Sequence, residues 1–158
     1  MAVRVQRDDF DPGAEMDALA KDNHAIGAIC SFVGLVRDMH AGKDDRKISS
    51  MTLEHYPGMT EKELTRIEAQ ARDRWPLEDC LIVHRYGKLD PGDRIVLVVT
   101  ASSHRQAAFE SAEFLMDWLK TKAPFWKLEE TPEGGDWVDA RESDDTAAAR
   151  WGSDEENP

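Results

Sequence analysis

The segment Ser102 to Lys127, SSHRQAAFESAEFLMDWLKTKAPFWK, places His104, Arg105, Lys120 and Lys127 within one predicted helix and the strand after it, in a chain whose formal net charge is −12. Local positive charge in an acidic chain points to an anionic ligand. Helix N-termini carry unpaired N–H groups and the positive end of the helix dipole, so His104 and Arg105 at a helix start would add donors to a ready anion site. A phosphate suits it. Taken alone, the pair reads first as a solvated first-turn arginine and an ordinary surface imidazole.

Lys120 falls in the last helical turn, where a cation also complements the dipole without any further role. Lys127 follows the Pro124 break, between Trp126 and Leu128 on a predicted strand, so its side chain is expected opposite theirs. Shelter by apolar neighbours would depress its pKa and suit it to proton transfer or nucleophilic work. Arg105 and Lys120 are fifteen residues apart. On a straight helix that is roughly 22 Å, too far for one small ligand. If both serve one site, two helices must pack antiparallel across a two-fold axis, which predicts a homodimer with two shared sites.

The elements that must hold these residues are legible from pattern. Val3 to Gln6 alternates as a strand, and Pro12 to Lys21 reads as a short helix. Ala25 to Val33 is a nearly continuous apolar run, which predicts a strand buried on both faces. Arg37 to Lys47 is polar and turn-rich, an expected mobile loop, and Ser49 to His55 returns to alternation. Thr60 and Glu63 predict a capping box for a helix carrying Leu64, Ile67, Ala71 and Trp75 on one face and ending at Pro76. Cys80 to Tyr86 and Arg94 to Ala101 read as strands joined by the GKLDPGD turn. Ser103 and Gln106 predict a second capping box, for a helix with Ala108, Ala112, Leu115 and Leu119 facing inward. Phe125 to Glu130 and Asp136 to Ala140 form a predicted hairpin around TPEGG. The fold class is α/β (α+β), with three helices and a C-terminal hairpin.

Length and composition fit one domain over residues 1–150, followed by an acidic tail, 151–158, expected to be disordered. With 32 acidic against 20 basic residues the chain lacks the broad basic face that nucleic-acid binding needs. No stretch approaches the roughly 20 apolar residues of a membrane span, and MAVRVQRDDF has no signal-peptide core, so a cytoplasmic protein is expected. Cys30 and Cys80 lie in apolar strand-like runs without metal-ligand spacing, and the five histidines form no HExxH or close cluster, so no metal site is expected.

The stretches FVGLVRD (Phe32 to Asp38), LEHYPGMTEK (Leu53 to Lys62), SSHRQAAFE (Ser102 to Glu110), LKTKAPFWK (Leu119 to Lys127) and WVDARES (Trp137 to Ser143) resemble the large, catalytic subunit of molybdopterin synthase. The resemblance runs in order and with compatible spacing from about Ala25 to Ser143. It implies a two-layer, hammerhead-like α/β fold with mixed and antiparallel sheet. It also implies a sulfur transfer, in which cyclic pyranopterin monophosphate receives two sulfurs and becomes the molybdopterin dithiolene.

By the same resemblance the sulfur donor is a small ubiquitin-like partner subunit with a C-terminal Gly-Gly thiocarboxylate, bound at each end of a central homodimer to give a heterotetramer. No separate cofactor is implied. Carried over by position, Lys120 and Lys127 are implied as catalytic, and Arg37, His104, Arg105 and Arg141 as substrate-pocket residues, with Leu35, Val36, Leu128 and Glu129 lining the same stretches. Leu35 departs from the lysine of some relatives, so only a backbone contact would survive there. The rival readings are a sulfurtransferase carrying a persulfide on Cys30 or Cys80, and a non-enzymatic module binding a phosphorylated ligand or a ubiquitin-like partner.

Overall fold

A computed structural model describes residues 2–38, 50–131, 134–138 and 148–152, with 126–131 and 134–138 described by their backbone. The elements are β1 (Val3–Gln6), α1 (Pro12–Ala20), β2 (Ala28–Leu35), β3 (Ser50–His55), α2 (Met59–Arg74), β4 (Leu77–Arg85), β5 (Gly87–Leu89), β6 (Arg94–Ser102), α3 (Arg105–Thr121), β7 (Phe125–Thr131) and β8 (Gly134–Val138). They build two four-stranded sheets, β1-β4-β6-β2 and β5-β3-β7-β8. The first is mixed, with β1 parallel to β4 and the other pairs antiparallel; the second is antiparallel throughout. The expected α/β (α+β) class, the three helices and the C-terminal hairpin are therefore all present.

The apolar runs of β4 and β6 follow from their central position, because both faces of the first sheet are covered. Cys80, Ile82, Val96 and Val98 join Leu64, Ile67 and Ala71 of α2 and Phe114, Leu115, Trp118 and Leu119 of α3 in one core. Leu81, Val83, Leu97 and Val99 alternate to the other face, where Phe10 and the α1 residues Met16 and Leu19 cover them. A third cluster, Val36, Met51, Leu53 and Leu89, ties the end of β2 to the second sheet.

The run through β2 is not buried on both faces. It begins at Ala28, among the described residues pairs only with β6 at the sheet edge, and leaves Ile29, Phe32 and Leu35 exposed. The GKLDPGD segment is more than a turn, since its first three residues form β5 and pair with β3 in the other sheet. Neither capping box falls where expected. At α2 the cap is Gly58, whose N–H donates to the Glu61 carboxylate, while Glu63 pairs with Arg66 and Thr60 lies inside the helix. Gly58 adopts φ +84°, which residues with a Cβ rarely take. At α3 the cap is His104 without a side-chain bond, and Gln106 instead donates to Glu110 at 3.0 Å.

Residues 39–47 of the expected loop and residues 153–158 of the expected tail lie outside the described residues. Among the described residues no helix is long and apolar enough to cross a membrane.

Candidate active site

α3 organises the site. It runs unbroken from Arg105 to Thr121, and only Ser103 and His104 separate it from β6. So short a link forces the helix back along the strand it follows, and Thr100 Oγ1 donating to the Ala108 carbonyl at 2.6 Å fixes the first turns to the end of β6. The N-terminus of α3 therefore sits at the Ser102 end of β6 and its C-terminus near the Arg94 end.

β2 runs antiparallel to β6, with Ala28 opposite Ser102 and Leu35 opposite Arg94. This register divides the predicted site residues into two groups. His104 and Arg105 lie at one end of the sheet, both exposed. Leu35, Val36 and Arg37 leave β2 at the other end, toward which α3 carries Lys120. The two ends are about 26 Å apart along the nine residues of β6. Within one chain, then, Arg37 and Lys120 share an end, and His104 and Arg105 do not join them.

Arg37 is exposed, and Leu35 is 53% exposed. Val36 between them is buried in the third cluster, its N–H donating to Asp93 O at 2.9 Å and its carbonyl accepting from Gly92 at 2.8 Å. It anchors the backbone immediately before Arg37. Lys120 is exposed in the last turn of α3. Lys127 sits on β7 opposite Leu53 of β3 and Val138 of β8, Leu128 opposite Thr52 and Trp137, and Glu129 opposite Met51 and Asp136. Arg141 lies outside the described residues.

At 100° per residue, Arg105, Phe109, Met116 and Lys120 fall within an arc of about 60° on α3. One stripe thus carries a cation at each end and apolar residues between, with Phe109 62% exposed. Turned about a two-fold axis, such a stripe sets apolar residues against apolar ones and a cation against a cation at each end. Phe109 is the exposed aromatic of this stripe, among the exposed polar residues Arg105, Gln106, Glu113 and Lys120.

Sequence periodicity did not find the close approach at Gly27. A Cβ there would lie 2.2 Å from the Ser103 carbonyl oxygen, and the Gly27 N–H donates to Ser102 O at 3.0 Å. The start of β2 therefore buttresses the link that presents His104. Its signal in the sequence was a glycine at the head of an apolar run. Burial pushes the Cys80 thiol up to about 12 and raises that of Cys30 as well. Among the described residues no group of three His, Cys, Asp or Glu side chains is placed to hold a metal ion.

The family model described as MoaE protein matches residues 5–122, most of the chain, from the second half of β1 through the end of α3. The chain belongs to the MoaE family. A relative from Pseudomonas aeruginosa named molybdopterin synthase catalytic subunit is 56% identical over 151 residues, covering 96% of this chain and 99% of its own length. The solved MoaE protein of Burkholderia ambifaria superposes with a TM-score of 0.80 at 55% identity, over 98% of this chain and 100% of its own. A more distant solved structure, a complex of subunits 1 and 2 of molybdopterin-converting factor from Helicobacter pylori, shares the fold, with a TM-score of 0.69 at 23% identity over 90% and 92% of the two chains. The MoaE match ends one residue past α3, so the helix with both candidate cationic ends lies wholly within it.

Proposed function

We propose that this chain transfers sulfur from the C-terminal thiocarboxylate of a small ubiquitin-like partner subunit to cyclic pyranopterin monophosphate, forming the dithiolene of molybdopterin. MoaE membership makes it a sulfur-transferring enzyme of molybdenum cofactor biosynthesis, and the similarity to a catalytic subunit over nearly its whole length carries that reading. The partner and the substrate belong to the proposal. So does the site, formed by Arg37, Lys120, Lys127 and Arg141 of one chain with His104 and Arg105 of a second.

The residue types suit these tasks. Guanidinium groups offer forked donors for the cyclic phosphate and pterin, and the α3 N-terminus reinforces them. Lys120, as an ammonium, would neutralise the thiocarboxylate and stabilise charge building on the attacked substrate, and Lys127 would assist. Because the sulfur arrives on the partner, the chain needs no cofactor of its own. Leu35, Val36, Leu128 and Glu129 shape the walls, Val36 through the backbone it anchors.

The splitting of the cationic groups between the two ends of α3 supports a homodimer as the core of the assembly. Antiparallel contact along the stripe would set Arg105 of one chain near Lys120 of the other and cover both Phe109 rings. A partner subunit at each outer end then gives the heterotetramer.

Incubating the chain with the precursor and a thiocarboxylated partner, and detecting the dithiolene product by mass spectrometry, tests this reading. Product is expected from the wild type. Lys120→Ala should lower the rate by about a hundredfold or more, the usual cost of removing a charge-stabilising group. Product formed by Lys120→Ala but lost in Cys30→Ala or Cys80→Ala would establish the persulfide route instead, and partner binding without product would leave only a binding module.

A further inference from the structure

The turn between α3 and β7 joins the two elements that carry the candidate catalytic lysines. Lys122 N–H donates to Trp118 O at 2.7 Å, closing the helix, and Phe125 N–H donates to Ala123 O at 2.9 Å, starting the strand. Between them the Pro124 carbonyl accepts from Thr60 Oγ1 at 3.2 Å. Phe125, the first residue of β7, is five residues after Lys120 and two before Lys127. Whatever fixes Phe125 sets how these two elements lie relative to each other.

What fixes it is a stack of rings between the sheets. The Phe125 ring lies 3.7 Å from the His84 imidazole, with the planes 16° from parallel. His84 is buried near the end of β4, a strand paired on both sides, opposite Val5 of β1 and Val96 of β6. Its Nδ1 lies 2.9 Å from the Arg85 carbonyl oxygen. A carbonyl only accepts, so Nδ1 carries the proton and the ring is held in one orientation. On the other side His55, opposite Phe125 in the β3–β7 register, lies 6.3 Å from the same ring and 4.2 Å from Tyr86. The stack thus links the mixed sheet, through β4, to the antiparallel sheet, through β3 and β7.

We propose that His84 is a positioning residue for sulfur transfer: its ring, locked to the Arg85 carbonyl and stacked face to face on Phe125, sets the start of β7 and with it the placement of Lys127 relative to Lys120. The inference rests on the reading of these lysines given above. A group that must meet a developing charge within hydrogen-bond distance is sensitive to small displacements, and a misplacement of about 1 Å costs up to about a hundredfold in rate. Arg37, His104 and Arg105 do not belong to the stack. Its loss should therefore slow the chemical step and leave precursor affinity nearly unchanged, the pattern of an interaction expressed in the transition state.

The test uses single-turnover sulfur transfer in the full complex of the chain with its thiocarboxylated partner, comparing His84→Ala and His84→Phe. His84→Ala should lower the rate about tenfold or more with half-saturating precursor within about threefold of wild type, and His84→Phe, which keeps a flat ring on Phe125, should recover it to within about threefold. A His84→Ala rate within about twofold of wild type overturns the inference, and so do His84→Ala and His84→Phe rates that are equally low. Should His84→Ala fail to fold, Phe125→Leu keeps the bulk and removes the stack; slowing like that expected for His84→Ala supports the proposal, and an unchanged rate overturns it. Lys120→Ala and Lys127→Ala are measured alongside. If they too leave the rate unchanged, the reading of the lysines has failed; if they abolish it while His84→Ala does not slow it, only the positioning role has.

Discussion

The indole Nε1 of Trp151 donates to Asp117 Oδ2 at 2.7 Å, fastening the end of the described chain to α3 one turn before Lys120. The same ring stands edge-on to Trp75 and Phe114, each 5.6 Å away, and Arg74 donates to the Trp151 carbonyl at 2.6 Å. Arg150 adds ion pairs to Glu113 at 2.6 Å and Asp117 at 2.9 Å. Trp151→Ala should cost about 2 kcal/mol, less than for a fully buried aromatic because the ring is only partly covered. Trp151→Phe, which keeps the edge contacts and loses the hydrogen bond, should cost about 1 kcal/mol. Urea unfolding would show both as lower midpoints at an unchanged slope. A midpoint that does not move in Trp151→Ala would mean that this contact is absent in solution.

Much of this is legible in the sequence. Helical period and proline breaks are local, so α2, α3 and the Pro124 break are legible directly, though not their caps, and the length of α3 alone separates Arg105 from Lys120. Pairing is not local. A continuous apolar run looks the same whether a strand is central or is an edge strand with open apolar side chains, and β2 was misread for that reason. That Arg37 sides with Lys120 rather than with His104 depends on the β2–β6 register. The stack of His55, His84 and Phe125 joins three strands far apart in the chain, and no spacing announces it. Gly58 displaced the expected α2 cap because a positive φ can end a turn without a side-chain oxygen.

The division of cations along α3 makes complementation between two inactive variants the sharpest test of a shared site. Assayed with precursor well below the KM of either variant, Arg105→Ala and Lys120→Ala should each be nearly inactive alone. When the two are unfolded together and reassembled at equal amounts, about half of the dimers pair one of each, and each such dimer holds one site with both groups intact. About a quarter of all sites should then turn over. Activity no higher than that of either variant alone would place both groups of a site in one chain.

Gly27→Ala should strike the opposite end of α3 from Lys120. The added methyl meets the backbone oxygen of Ser103 at 2.2 Å, so the link rather than a flexible side chain must move. A stability loss of about 1–3 kcal/mol is expected, as for other overpacked sites. Because His104 and Arg105 are displaced while the Lys120 that shares their site is held by the other chain's helix, steady-state kinetics should show a raised KM for the precursor and a kcat little changed. A fall in kcat at unchanged KM would reverse the roles assigned to the two ends of α3.

The thiols should stay out of the chemistry. Burial drives the Cys80 thiol from the ordinary 9.0 up to about 12, with Glu68 adding to the rise and Arg72 opposing it, so it holds its proton at any physiological pH. Cys80 should resist alkylation at pH 8 until the chain unfolds, and Cys30→Ala and Cys80→Ala should turn over within about twofold of wild type. The pH dependence has a definite sign. The unfolded chain releases this proton near 9 while the folded chain keeps it to about 12, so the unfolded state binds fewer protons in that window. The stability that the group contributes is complete below pH 9 and is lost as the pH rises through 12. In paired urea titrations at pH 8, 9.5 and 10.5, the wild type should lose stability more steeply than Cys80→Ala; parallel losses would mean that the folded thiol ionises as easily as the unfolded one.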